Sequence, residues 1–71
     1  MTWNYRVIED NGQFSIHEVY YNDAGEITSV TENPIAPGGE TLEELQEDMA
    51  HYAEALKRHV LKMDERIFAN R

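Results

Sequence analysis

The sequence predicts an α+β domain in the order β-β-β-α: a three-stranded antiparallel meander followed by one long C-terminal helix. Three observations carry this expectation. Side chains alternate through Trp3-Asn4-Tyr5-Arg6-Val7-Ile8, as they do where successive residues face opposite sides of a sheet. Asn11-Gly12 separates that run from a second alternating one, which is the strongest short hairpin signal. From Thr41 onward apolar residues recur at threes and fours, with no glycine or proline after Gly39. A single domain covers residues 1–71, with strands expected over about 3–9, 14–21 and 27–32 and the helix over about 42–66.

A two-residue turn at Asn11-Gly12 pairs Val7 with Ile16, Tyr5 with Glu18 and Trp3 with Tyr20. One face of the hairpin then carries Trp3, Tyr5, Val7, Phe14, Ile16 and Tyr20. The other carries Arg6, Ile8, Ser15, His17, Val19 and Tyr21. The first face is the more apolar, so it is expected to form the core and to meet the helix. Asn22-Asp23-Ala24-Gly25 fits a type I turn closed by a left-handed glycine. Ile27-Thr28-Ser29-Val30-Thr31-Glu32 is rich in β-branched residues and reads as the third strand, with its register left open by the loop length. Asn33-Pro34 ends it, because proline donates no ladder hydrogen bond.

Thr41-Leu42-Glu43-Glu44 is a capping box that starts the helix, with negative charge where the helix dipole favours it. Leu45, Met49, Tyr52, Ala53, Leu56, Val60, Met63 and Ile67 form its apolar stripe. A helix from Leu42 to about Phe68 spans ~40 Å at 1.5 Å per residue. Seven-residue strands reach only ~23 Å. The stripe Leu56, Val60, Met63 and Ile67 is therefore expected to overhang the sheet and to form a dimer interface, with the two helices antiparallel.

Composition narrows the function classes. The net charge is −8 and the pI near 4.6. Residues 1–56 hold 12 acidic side chains against one basic one, Arg6, whereas residues 57–71 hold five bases against two acids. The acidic part repels nucleic acid, whose affinity for proteins comes chiefly from clustered Lys and Arg. The basic stretch complements a helix C-terminus. The absence of cysteine excludes disulfides, thiolate nucleophiles and sulfur-ligated metals. No apolar run approaches the ~18–20 residues of a membrane span, and the first residues lack a signal-peptide layout, so the expected compartment is the cytoplasm.

Several constellations invite a chemical reading. Glu47, His51 and Glu54 share one helix face at spacings of four and three, which makes them the candidate metal ligands. Such sites gather ligands from several helices and this chain offers one, so a solvated acidic face is the preferred reading. Ser15 and His17 share a strand face, but a serine nucleophile also requires an orienting acid and oxyanion donors. Trp3, Tyr5, Phe14, Tyr20 and Tyr21 could form a base-stacking platform, yet such platforms sit in positive grooves. Gly38-Gly39 precedes the helix, but Glu40, Glu43 and Glu44 already occupy that anion-attracting end. No catalytic residue and no cofactor is assigned.

Trp3-Asn4-Tyr5-Arg6-Val7-Ile8, Ile16-His17-Glu18-Val19-Tyr20-Tyr21 and Gly39-Glu40-Thr41-Leu42-Glu43-Glu44-Leu45 resemble a family of short, uncharacterised bacterial proteins, over residues 3 to about 56. That family supplies no functional residue. More distantly, the hairpin, third strand and helix start are similar to the N-terminal domain of HicB-type antitoxins. The resemblance implies a partial RNase H-like sheet, oligomerisation and a small RNA-cleaving HicA-type toxin as partner. The chain departs from that pattern in its Asn33–Gly39 connection, and no separate DNA-binding segment is expected within residues 1–71. The expected function is thus a non-catalytic interaction module that forms a homodimer and binds a basic protein partner, with no nucleic acid or membrane contact of its own. The alternative is a small enzyme or metal-binding domain using His51 or His17 with neighbouring carboxylates.

Overall fold

A computed structural model describes residues 2–63 of the chain. β1 (Thr2–Asp10) and β2 (Gln13–Tyr21) form a hairpin, β3 (Ile27–Val30) lies outside β2, and α1 (Leu42–Leu56) leads to a short β4 (Leu61–Lys62). The sheet order is β3-β2-β1-β4, with β4 parallel to β1 and the other pairs antiparallel. The hairpin has the expected register, including Val7 opposite Ile16 and Trp3 opposite Tyr20. Asn11 and Gly12 both take positive φ, 52° and 81°, which a two-residue turn of matching twist requires. The second turn is held by the Asn22 side chain, whose Oδ1 accepts from the backbone N–H groups of Ala24 and Glu26. A bulge between Tyr20 and Tyr21 then sets the register of β3.

The three-stranded meander with one long helix is corrected by this architecture: the sheet has four strands, and it is mixed. The helix is also shorter than the 42–66 span expected, ending at Leu56. Its last turn tightens, with Lys57 N–H donating to Glu54 O at 3.0 Å and Arg58 N–H to Ala55 O at 3.3 Å. The chain then pairs with the free edge of β1, placing Leu61 opposite Ile8 and Lys62 opposite Glu9. Met63 N–H donates to Glu9 O at 2.9 Å. Val60 and Met63 fit a helical period, but Leu61 and Met63 equally fit alternation. An unpaired edge beside the buried Ile8 decides between them, because ladder bonds and burial outweigh weak helix propensity.

The helix lies on the Trp3–Tyr5–Val7 side of β1, as expected. Both faces carry buried residues, however: Val7 and Ala55 are buried on the helix side, and a second cluster lies on the opposite face. There Ile8, Val19 and Val30 form the core cluster, with Tyr21, Ile27, Leu61 and Met63 packed against it. The aromatic face is covered only in part, since Phe14 remains 63% exposed and Trp3 47% exposed.

Candidate interaction site

Trp3 and Tyr5 point from β1 toward α1, where they meet His51 and Tyr52. Ring centroids are 5.4 Å apart for Trp3–Tyr5, 5.5 Å for Trp3–His51, 5.7 Å for Tyr5–His51 and 5.0 Å for Tyr5–Tyr52. The Tyr5 hydroxyl donates to Asp48 Oδ1 at 2.6 Å, and Gly38 N–H donates to Oδ2 at 3.0 Å. The carboxylate thus ties strand, helix and connecting loop together. Burial first, and the neighbouring Asp48 second, push the Tyr5 hydroxyl pKa well up. The same hydrogen bond from Tyr5, followed by that from Gly38, holds Asp48 below the usual carboxylate value. Burial and Asp48 raise Tyr52 likewise.

This arrangement places the candidate metal ligands differently from a chelating set. His51 leans against two aromatic rings, and Glu47 and Glu54 flank it on the exposed helix surface. Among the described residues, no group of three His, Cys, Asp or Glu side chains is placed to hold a metal ion. What forms instead is an acidic ridge beside a half-exposed indole. Glu43, Glu44, Glu47 and Glu54 all face solvent, and no lysine or arginine occurs from Leu42 to Leu56.

On the other face, His17 is 2% exposed and both ring nitrogens are engaged. Nδ1 lies 2.8 Å from Thr31 O and Nε2 lies 3.0 Å from Ser15 Oγ. A carbonyl can only accept, so Nδ1 carries the hydrogen and Ser15 donates to Nε2. The Ser–His pair therefore exists, with a carbonyl as its orienting group, beside an open cleft of about 400 Å³ that also includes Asp10, Asn11, Glu32 and Asn33. With no lone pair spare for a metal and almost no surface, His17 pins β2 to the end of β3. Across the ladder, the buried Arg6 donates from Nη1 to the Tyr21 hydroxyl at 3.1 Å and from Nη2 to His59 O at 2.9 Å. The Tyr21 hydroxyl passes the network on to Asn4 Oδ1 at 2.8 Å. The sequence gives no warning of this, because His59 reaches Arg6 only after the helix has ended.

The expected dimer stripe is dispersed. Leu56 closes the helix, Val60 lies in the connection, Met63 packs against the core, and Ile67 falls outside the described residues. A different apolar stripe is left uncovered: Leu42, Met49 and Leu56 are 65%, 49% and 72% exposed. Their seven-residue spacing is the signal in the sequence, and the apolar stripe expected for the helix contains Met49 and Leu56 but not Leu42. No helix among the described residues is long and apolar enough to cross a membrane. Comparison with protein-family models, curated proteins and solved structures finds no match for the chain.

Proposed function

We propose that the chain is a non-catalytic cytosolic interaction module that self-associates and binds a basic protein partner through the acidic ridge of α1 and the indole of Trp3. One observation carries the reading: the half-exposed Trp3 packs at a tilt against His51, which Glu47 and Glu54 flank one helical turn away on either side. An arginine guanidinium satisfies both parts of such a surface, stacking on the indole while donating to carboxylates. A net charge of −8 speeds encounter with a cationic protein and disfavours nucleic acid. His17 is 2% exposed, and this near-complete burial supports the non-catalytic part.

The resemblance to HicB-type antitoxins implies the same partner class, a small basic toxin-like protein. The meander, crossover helix and parallel fourth strand are compatible with a partial RNase H-like sheet. This is a fold-level analogy, and it transfers no functional residue.

Trp3 is the sole tryptophan, so its fluorescence reports on the site directly. Titration with an arginine-rich peptide is expected to give a saturable change in emission that weakens as salt rises. The double variant Glu47→Gln/Glu54→Gln is expected to weaken binding by about tenfold or more, since each lost charge-assisted contact is worth roughly 1 kcal/mol at a surface. Unaltered emission with the peptide, or equal affinity in the double variant, refutes the reading.

A further inference from the structure

α1 carries a heptad pattern whose two halves meet different fates. Leu45 and Tyr52 are half-buried on the sheet side, whereas Leu42, Met49 and Leu56 stand in solvent one flank away. Residues seven apart on a helix drift by only about 20°, so these three form one continuous line along the element. The ridge bearing Glu43, Glu47 and Glu54 lies about 120–160° round the helix from that line, at 100° per residue. The two surfaces are therefore distinct.

We infer that the Leu42–Met49–Leu56 line is the seat of a second copy of this chain, packed helix against helix in antiparallel orientation about a two-fold axis at Met49. The inference deepens the self-association in the reading above by naming its surface and geometry. Two observations select this occupant. The first is self-complementarity: a leucine lies seven residues to either side of Met49, so a two-fold axis there sets Leu42 of one copy against Leu56 of the other and Met49 against its own counterpart. The second is charge. α1 begins with Glu43 and Glu44 in its first turn and is followed directly by Lys57 and Arg58. Antiparallel helices place the basic end of each beside the acidic end of its partner, whereas parallel helices would set like charges together at both ends. Lys57 also contacts Glu54 of its own helix at 3.5 Å, but that pair is solvent-exposed and leaves Lys57 available. A contact confined to one helix per copy belongs to the small-interface class, so association is expected in the micromolar range rather than below it.

Sedimentation equilibrium across a micromolar concentration series tests the inference. The wild-type mass is expected to rise from 8.3 kDa toward twice that value, and Met49→Glu and Leu56→Glu are each expected to remain monomeric. Both positions are solvent-exposed, and far-ultraviolet circular dichroism verifies that each variant folds; either variant alone suffices. The chain lacks cysteine, so introduced thiols report orientation cleanly. Mixed Leu42→Cys and Leu56→Cys chains should cross-link to each other, Met49→Cys to itself, and Leu56→Cys alone should not. A monomeric wild type, a dimer that persists in both glutamate variants, or self-cross-linking of Leu56→Cys overturns the proposal. The basic-partner reading fails separately. A dimer of this geometry whose Trp3 ignores the arginine peptide removes the basic-partner reading alone, and a monomer that binds the peptide removes the self-association and this interface while leaving the basic-partner reading standing.

Discussion

Ile8 and Phe14 exchange the importance that hydrophobicity alone would assign them. Ile8 is fully buried against Val19 and Val30, whereas the larger Phe14 points mostly into solvent. Ile8→Ala is therefore expected to cost about 2–4 kcal/mol, through lost burial and the cavity left behind. Phe14→Ala should change stability by only ~0.5 kcal/mol. Denaturant titration of the two variants checks the contrast, and equal losses would mean that Phe14 belongs to the core as well. Tyr5 and Asp48 give a pH signature as well. Asp48 titrates below its ordinary range because Tyr5 and Gly38 hydrogen-bond to the charged form. A carboxylate depressed in the folded state stabilises above its unfolded value and loses that contribution as pH falls through the lowered one. Tyr5→Phe is expected to lower the melting midpoint most at neutral pH, with the gap to wild type narrowing in acid. A gap of constant size between neutral and strongly acidic solution would exclude the carboxylate as its cause. The opposite limb belongs to the Tyr5 hydroxyl, whose raised pKa stabilises below the normal tyrosine value and is lost as pH rises through the raised one.

The helix illustrates how differently its two ends are encoded. Its start is local: Thr41 Oγ1 accepts from Glu44 N–H at 3.1 Å, and Glu44 Oε1 accepts from Glu40 N–H at 2.8 Å. Gly39 completes the approach, since a Cβ there would lie 2.6 Å from Glu44 Cβ. Thr41→Ala should cost about 1 kcal/mol, read from the denaturation midpoint. The end is not local. Residues 57–63 contain no helix breaker, and their apolar positions satisfy both a helical and an alternating period. The structure settles the choice by offering Ile8 and Glu9 of β1 as ladder partners. NMR is expected to show secondary shifts turning from helical to extended between Leu56 and Leu61, with contacts between Leu61 and Ile8. Helical shifts continuing through Met63 would contradict the four-stranded sheet. The same reversal takes Val60 and Met63 out of the helical stripe expected at a dimer interface, because they belong to it only if the helix continues.

At the scale of the molecule, charge works against compactness. The acidic part of the chain holds 12 carboxylates against Arg6, and Arg6 is spent on uncharged partners, Tyr21 and the His59 carbonyl. The ion pairs Lys57–Glu54 at 3.5 Å and Lys62–Glu9 at 3.7 Å are solvent-exposed or nearly so, and such pairs contribute ~0–1 kcal/mol each. Self-repulsion should therefore dominate over attraction, and raising salt to about 0.15 M, where charges beyond ~8 Å are screened, should raise the melting midpoint at neutral pH. A midpoint that falls on adding salt would show that specific ion pairs outweigh the general repulsion.

Local chemistry was enough to specify the hairpin and its register, the turn at Asn22, the helix start at Thr41 and the acidic character of the helix surface. Each depends on residues within a few positions of one another: an Asn-Gly turn, an Asx side chain, a capping hydroxyl. The fourth strand, the end of the helix and the burial of residues on both sides of the sheet required the folded chain. Those outcomes turn on competition between distant groups, in which the open edge of β1 draws Leu61 and Met63 out of a helical period and the Ile8–Val19–Val30 face is buried as well as the helix side. The same competition leaves Leu42, Met49 and Leu56 in solvent. A sequence period identifies which residues share a face, but only the assembled sheet determines which of those faces it has surface left to cover.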